Sequence, residues 1–312
     1  MRVIGRRALL LGGVSAALAA CAAPSESQTA TRGPSPSMAD PFTAGGPTPA
    51  GAPEPSAASS TAASSATTPV AAPAVDRAAL VARYAGVAPT SWGLQADGIV
   101  QALGTRDPVV ALTFDACGGP SPTSSGCGYD RDLVELLRRL RVKATFFLNS
   151  RWIDANPRIA DHLVADPLFE IGNHGTRHMP LSVTGRSAYG EPGTSSPAEV
   201  YDEVAGNHAK LTALLGRPPR FFRSGTAHCD DVAVRICREL GEQVVNFSVN
   251  GDAGTTFTPA QVAAALRTVR GGDIVISHVN RPEHASAEGY AAGLPGLLAR
   301  GLRPVTLGEH LT

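Results

Sequence analysis

Six residues have the types and the order of a hydrolytic site. Asp115 follows the apolar run 109–114. The segment His174-Gly175-Thr176-Arg177-His178 follows the run 169–172, and two imidazoles four residues apart in one turn can converge on a single divalent cation such as zinc. Arg223 closes a third run, Asp252 (with Asn250 just before it) follows a fourth, and His278 ends a fifth. An acid, two imidazoles, a guanidinium, a second acid and a third imidazole suit metal-assisted hydrolysis. A cation polarises a carbonyl and acidifies water, a carboxylate takes the proton, and an imidazolium gives one to the leaving group. Each residue has a structural alternative: Asp115 as a strand terminus, the histidine pair as turn caps, Arg223 as an ion-pair partner, His278 as a core histidine. Their recurrence at the ends of apolar runs argues for the site, whereas His228 reads as structural, at the start of a following helix.

The elements that must position these residues alternate in period. Strands are expected at 109–114, 144–148, 169–172, 220–223, 243–249, 273–277 and 303–306, after a short helical lead-in at 76–84. Leu133, Leu136, Leu137 and Leu140 recur at helical spacing. Ser196-Pro197-Ala198-Glu199 and Thr258-Pro259-Ala260-Gln261 read as capping boxes with Pro at the first helical position. Strand-helix alternation implies a parallel sheet with its ligand site at the strands' carboxyl ends. No Gly-x-Gly-x-x-Gly turn follows the first strand, and there is no phosphate-loop pattern, so nucleotide binding loses support.

The first quarter of the 312-residue chain differs in kind. Arg2, Arg6 and Arg7 lead into the apolar run 8–20, too short to span a bilayer, and Leu18-Ala19-Ala20-Cys21 resembles a bacterial lipobox. Residues 1–21 are therefore expected to be a lipoprotein-type signal, with Cys21 acylated as a membrane anchor; Arg6-Arg7 resembles a twin-arginine export signal. The expected location is the outer face of the cell membrane, or the periplasm or outer membrane in a cell with two membranes. Residues 22–75 contain 15 Ala, 10 Pro, 9 Ser and 7 Thr with no apolar period, and read as a disordered tether. Residues 76–106 read as a lead-in and 107–312 as the domain that carries the six residues. The 27 basic and 27 acidic residues balance overall, and 23 face 24 after position 75. That excludes a polyanion-binding surface, so no nucleic-acid partner is expected, and no protein partner is inferred.

The ordered motifs resemble the polysaccharide deacetylase (NodB homology) family, carbohydrate esterase family 4, from about 107 to 312. The resemblance implies an α/β fold, a deformed (β/α) barrel of about seven parallel strands, and removal of acetyl groups from N- or O-acetylated glycans with a divalent metal, zinc being the expectation. The partner implied is a glycan; peptidoglycan is expected first because the tether would lead into the cell wall. By the same resemblance Asp115 is the base, His174 and His178 bind metal, Arg223 orients the base, Asp252 or Asn250 tunes the catalytic histidine, and His278 is the acid. A glycan-binding pseudoenzyme of this fold and a hydrolase of another amide are the alternatives.

Three departures stand out. Ala116 stands where the family's second Asp binds metal, so either water fills the place, or His228, Asp230 or Cys117 enters it, or the protein works without a tightly held metal; water or a nearby polar residue is the expectation, because cysteines of exported proteins tend to be oxidised. Gly175 replaces the Ser/Thr of the metal motif. The segment Arg223-Ser224-Gly225-Thr226-Ala227 keeps a backbone N–H at Thr226 for an oxyanion but loses the usual aromatic lining. The four cysteines after Cys21 allow three complete pairings: Cys117 with Cys127 would close a loop beside Asp115, while a Cys229–Cys237 bridge requires Cys229 to lie outside a helix.

Overall fold

The computed structural model describes residues 75–311, so the expected signal, the Cys21 anchor and nearly all of the tether lie outside the described residues. The first helix, α1 (Arg77–Tyr84), starts at Asp76, whose carboxylate accepts the N–H groups of Ala78 and Ala79. Then follow β1 (Trp92–Gly93), β2 (Val109–Ala116), α2 (Arg131–Arg139), β3 (Ala144–Leu148), α3 (Ser150–Ala155), α4 (Pro157–Val164) and β4 (Phe169–Asn173). The second half runs α5 (Pro197–Leu215), β5 (Phe221–Phe222), β6 (Cys229–Asp230), α6 (Asp231–Glu239), β7 (Gln243–Val244) and β8 (Val249–Asn250). It ends with α7 (Pro259–Thr268), β9 (Ile274–His278), α8 (Ser286–Ala299) and β10 (Arg303–Val305).

The main sheet is parallel throughout, in the order β7-β5-β4-β3-β2-β9-β8, with β10 against the start of β2. It curls into the expected deformed barrel with helices outside. All eight residues of β2 are buried, because the strand has an apolar layer on each face. Val110, Leu112, Phe114 and Ala116 join the outer core with Leu133 and Leu137 of α2 and Leu294 of α8. Val109 and Ala111 join Ile274, Val305 and Leu307 inside the curl. A slip of one residue would put Asp115 into the outer apolar layer, so burial fixes which face carries the chemistry.

Two expectations change in detail. The strand expected at 243–249 breaks into β7 and β8, because the carbonyls of Val245 and Asn246 accept the Arg223 guanidinium (3.0 Å each) in place of a neighbouring strand. The Thr258 capping box forms in full. The Ser196 box forms by half: Ser196 accepts the Glu199 N–H, but the Glu199 carboxylate reaches the N–H of Ser195.

The described cysteines form no disulfide. Cys127 Sγ accepts the Gly119 N–H (3.0 Å) and donates to Ser121 O (3.3 Å), while Cys117 Sγ lies 3.7 Å from His174 Nε2, so no bridge closes the loop beside Asp115. Cys229 does lie outside the helix, in β6, yet it and Cys237 remain thiols; burial pushes Cys229 up to about 12. No helix among the described residues is long and apolar enough to cross a membrane.

Candidate active site

Strand register sets the site. Asp115 on β2 pairs with His278 on β9, which places an acid and an imidazole side by side at the carboxyl end of the sheet. Asp115 is only 3% exposed, and its Oδ1 accepts Arg223 Nη1 at 2.7 Å. Arg223, fully buried, also donates from Nη1 to Thr113 Oγ1 (2.9 Å) and lies over the Phe147 ring at 4.2 Å. With the Val245 and Asn246 carbonyls, this guanidinium makes four hydrogen bonds, which pin the Asp115 carboxylate.

The histidine pair sits on a turn after β4 that has no regular structure of its own. His174 Nδ1 lies 2.9 Å from the Arg223 carbonyl, so Nδ1 carries the proton and Nε2 presents its lone pair toward Cys117 Sγ and Asp115 Oδ2, each 3.7 Å away. Burial holds His174 below its ordinary pKa; burial, then His174, holds His178 well below. Both are therefore neutral imidazoles, the form that binds metal. His178 has a positive φ of 66°, and Gly225 permits the loop after β5 to lie against it, since a Cβ there would come within 2.3 Å of the His178 backbone.

The turn is held by side chains that sequence reading missed. Glu203 of α5 accepts the N–H groups of Thr176 (3.1 Å), Arg177 (2.9 Å) and Met179 (3.3 Å). Asn149 donates to the carbonyls of His174 and Gly175, both at 2.9 Å. The signal was present: Glu203 and Asn207 fall at helical spacing on the same buried face as Val200, Val204 and Leu211, where an unpaired acid or amide would be costly.

Opposite the pair, Asp252 accepts His278 Nδ1 (3.0 Å to Oδ1), the His278 backbone N–H (2.7 Å) and Ser286 Oγ (3.1 Å). Burial works to raise the Asp252 carboxyl, but the His278 charge and these bonds outweigh it and hold it below its ordinary value. Asp252, not Asn250, contacts the histidine; the Asn250 side chain accepts the Ala253 N–H and shapes the turn. His228 and Asp230 do not join the histidine pair. His228 Nδ1 bonds Thr226 O, and Asp230 caps α6.

A cleft of about 640 Å³ opens over Asp115, His178 and His278. Thr226 lies on its wall, and its buried hydroxyl has no hydrogen-bond partner. The aromatic lining absent from 223–227 enters from elsewhere, as Tyr189 and Phe247.

Residues 102–245 match the sequence pattern of the polysaccharide deacetylase family. Residues 102–245 are a polysaccharide deacetylase-family domain. The chain is 26% identical over 210 residues to peptidoglycan-N-acetylglucosamine deacetylase of Bacillus cereus, covering 66% of this chain and 89% of the relative. It is 29% identical over 181 residues to chitooligosaccharide deacetylase of a Bradyrhizobium species, covering 57% and 73%. A family 4 acetyl xylan esterase from Clostridium thermocellum, solved with a cobalt ion, aligns at a TM-score of 0.52 and 26% identity over 64% of this chain and 89% of that one. A family 4 pseudoenzyme from Bacillus anthracis shares the fold, with a TM-score of 0.56 and 22% identity over 70% of each chain.

Deacetylases of this family are metal-dependent, and the residues of this chain fit a metal. Ligand atoms of Cys117, His174 and His178 all lie within 4.8 Å of one another, and His178 Nε2 is buried with no hydrogen-bond partner, an arrangement a bound cation would satisfy.

Proposed function

We propose that this polysaccharide deacetylase-family protein hydrolyses acetyl groups from an N- or O-acetylated glycan, peptidoglycan being the first substrate to test. The observation that carries the reading is the register pairing of Asp115 with His278, flanked on one side by the histidine pair and on the other by Asp252. His174 and His178 would hold the metal, and two neutral imidazoles suit zinc. The chemistry a divalent ion supplies when bound is a positive charge at the acetyl oxygen and a more acidic water.

The chain's own residues do the rest. Asp115, fixed by Arg223, accepts a proton from the attacking water at Oδ2, the oxygen not bonded to the guanidinium. His278, fixed through Nδ1 by Asp252, is oriented so that Nε2 can protonate the departing amine or alcohol. The backbone N–H of Thr226 would meet the oxyanion. Water and the acetylated glycan thus become acetate and the free amine or hydroxyl.

Acetate release from peptidoglycan, chitin oligomers and acetylxylan, with and without chelator, tests this directly. Asp115→Asn is expected to slow release about 100-fold or more, the usual contribution of a positioned base, with metal content unchanged. Release undiminished in that variant would overturn the base assignment. The second reading, glycan binding without turnover, is favoured by the methyl at Ala116 in place of a carboxylate. Binding of these glycans with no acetate from any of them would establish it.

We further propose export and lipid anchoring at Cys21. The motif Leu18-Ala19-Ala20-Cys21 and the low-complexity stretch behind it support this reading. Cys21→Ser should abolish incorporation of labelled fatty acid and leave the signal uncleaved; a variant labelled as strongly as the parent would refute the anchor.

A further inference from the structure

We propose that Cys117 is the third protein ligand of the metal, so that the centre is Cys-His-His and selects zinc. The inference rests on the deacetylase reading for the metal's role, but its geometry is independent of substrate. Around a tetrahedral zinc, with bonds of about 2.3 Å to sulfur and 2.0–2.1 Å to nitrogen, sulfur and nitrogen ligands lie about 3.5 Å apart. Cys117 Sγ and His174 Nε2 are 3.7 Å apart, and both lie within 4.8 Å of the His178 ligand atom.

The strand explains why position 117 takes the place left by Ala116. Ala116 belongs to the outer apolar core with Leu148 and Trp152, whereas Thr113 and Asp115 face Arg223 inside the curl. One residue beyond the strand, Cys117 again lies on the inner side. A carboxylate at 116 on this backbone would enter an apolar layer. A coordinating thiol is deprotonated by the ion, so sulfur at 117 supplies the single negative charge that the methyl at 116 cannot.

Two further observations point at a cation. The buried, unpartnered His178 Nε2 is one, and the tie between His174 Nδ1 and the Arg223 carbonyl, which aims Nε2 at the sulfur, is the other. A soft sulfur with two borderline imidazoles disfavours magnesium, calcium and manganese and favours zinc or cobalt. Three protein ligands leave a fourth position for water, the pattern of a catalytic rather than a structural zinc.

Cobalt substitution reads this out without turnover. The full chain, kept reduced and loaded with Co²⁺, should bind one ion and show the near-ultraviolet thiolate-to-cobalt charge-transfer band. Cys117→Ala and Cys117→Ser should lose that band and bind zinc at least about tenfold more weakly, while Cys127→Ala keeps both. Circular dichroism and melting temperature establish that each variant is folded, and the serine form serves if alanine is not. A cobalt form of the parent without the band, or a band that survives in folded Cys117 variants, overturns the assignment. Acetate release from a parent lacking the band would sink the cysteine ligand alone. A band with no acetate from any glycan would sink the deacetylase reading and leave the ligand in place.

Discussion

At the scale of single residues, the site is built from groups whose partners decide their roles. Asp115 and Asp252 are both buried acids, but one is bonded to a guanidinium and faces the histidine pair, while the other accepts three donors around His278. Tyr189 shows what a sequence reading of 223–227 could not supply. The residue is 36% exposed and lines the cleft, and its ring packs edge-on against His228 at 5.0 Å, with Trp92 at 5.8 Å from the same imidazole. Such a supported, exposed ring suits the apolar face of a sugar. Tyr189→Ala is predicted to raise KM for an oligosaccharide roughly fivefold, about 1 kcal/mol of lost stacking, with kcat little changed and Tyr189→Phe close to the parent. Steady-state kinetics on chitin or peptidoglycan oligomers check this, and an unchanged KM would remove Tyr189 from substrate binding.

At the scale of elements, α5 carries the histidine turn that β4 delivers. Gly175 has φ +76°, and a Cβ there would sit 2.5 Å from Glu203 Oε1. The glycine that departs from the family's Ser/Thr is thus matched to the carboxylate that gathers the turn's N–H groups. Glu203→Gln replaces one accepting oxygen with a donor facing donors. It should cost about 1–3 kcal/mol in urea unfolding and weaken metal binding at the pair. Gly175→Ala should be destabilising for both reasons, the left-handed backbone and the collision. A Glu203→Gln protein that binds metal as tightly as the parent would show that α5 does not position the ligands.

At the scale of the whole molecule, stability should depend on pH through Glu242. This fully buried carboxyl accepts Asn173 Nδ2 (2.9 Å), contacts His208 Nδ1 (2.6 Å), and lies near the Cys237 thiol. Burial dominates and raises it from 4.5 to about 7. The folded state therefore holds this proton more tightly than the unfolded chain. The stability it contributes is fully present below about pH 4.5 and lost as pH rises through about 7. Glu242→Gln removes that dependence, so relative to the variant the parent should lose about 2–3 kcal/mol between pH 5 and pH 8. Unfolding curves at the two pH values measure the difference; a gap that does not change with pH would refute the shift.

Period and order alone determined much of this protein. Alternating runs specify a parallel β/α sheet, and strand-end placement nominates Asp115, His174, His178, Arg223, Asp252 and His278, because apolar periodicity is a local property of the chain. Tertiary structure decided which distant groups meet. It brought Cys117 rather than His228 or Asp230 to the histidine pair, left Cys117 and Cys127 unbridged, and joined Asp252 rather than Asn250 to His278. It also broke the strand expected at 243–249 for the sake of Arg223. These outcomes turn on angstrom-scale convergence of side chains from separate elements, and spacing along a single chain carries no measure of that distance.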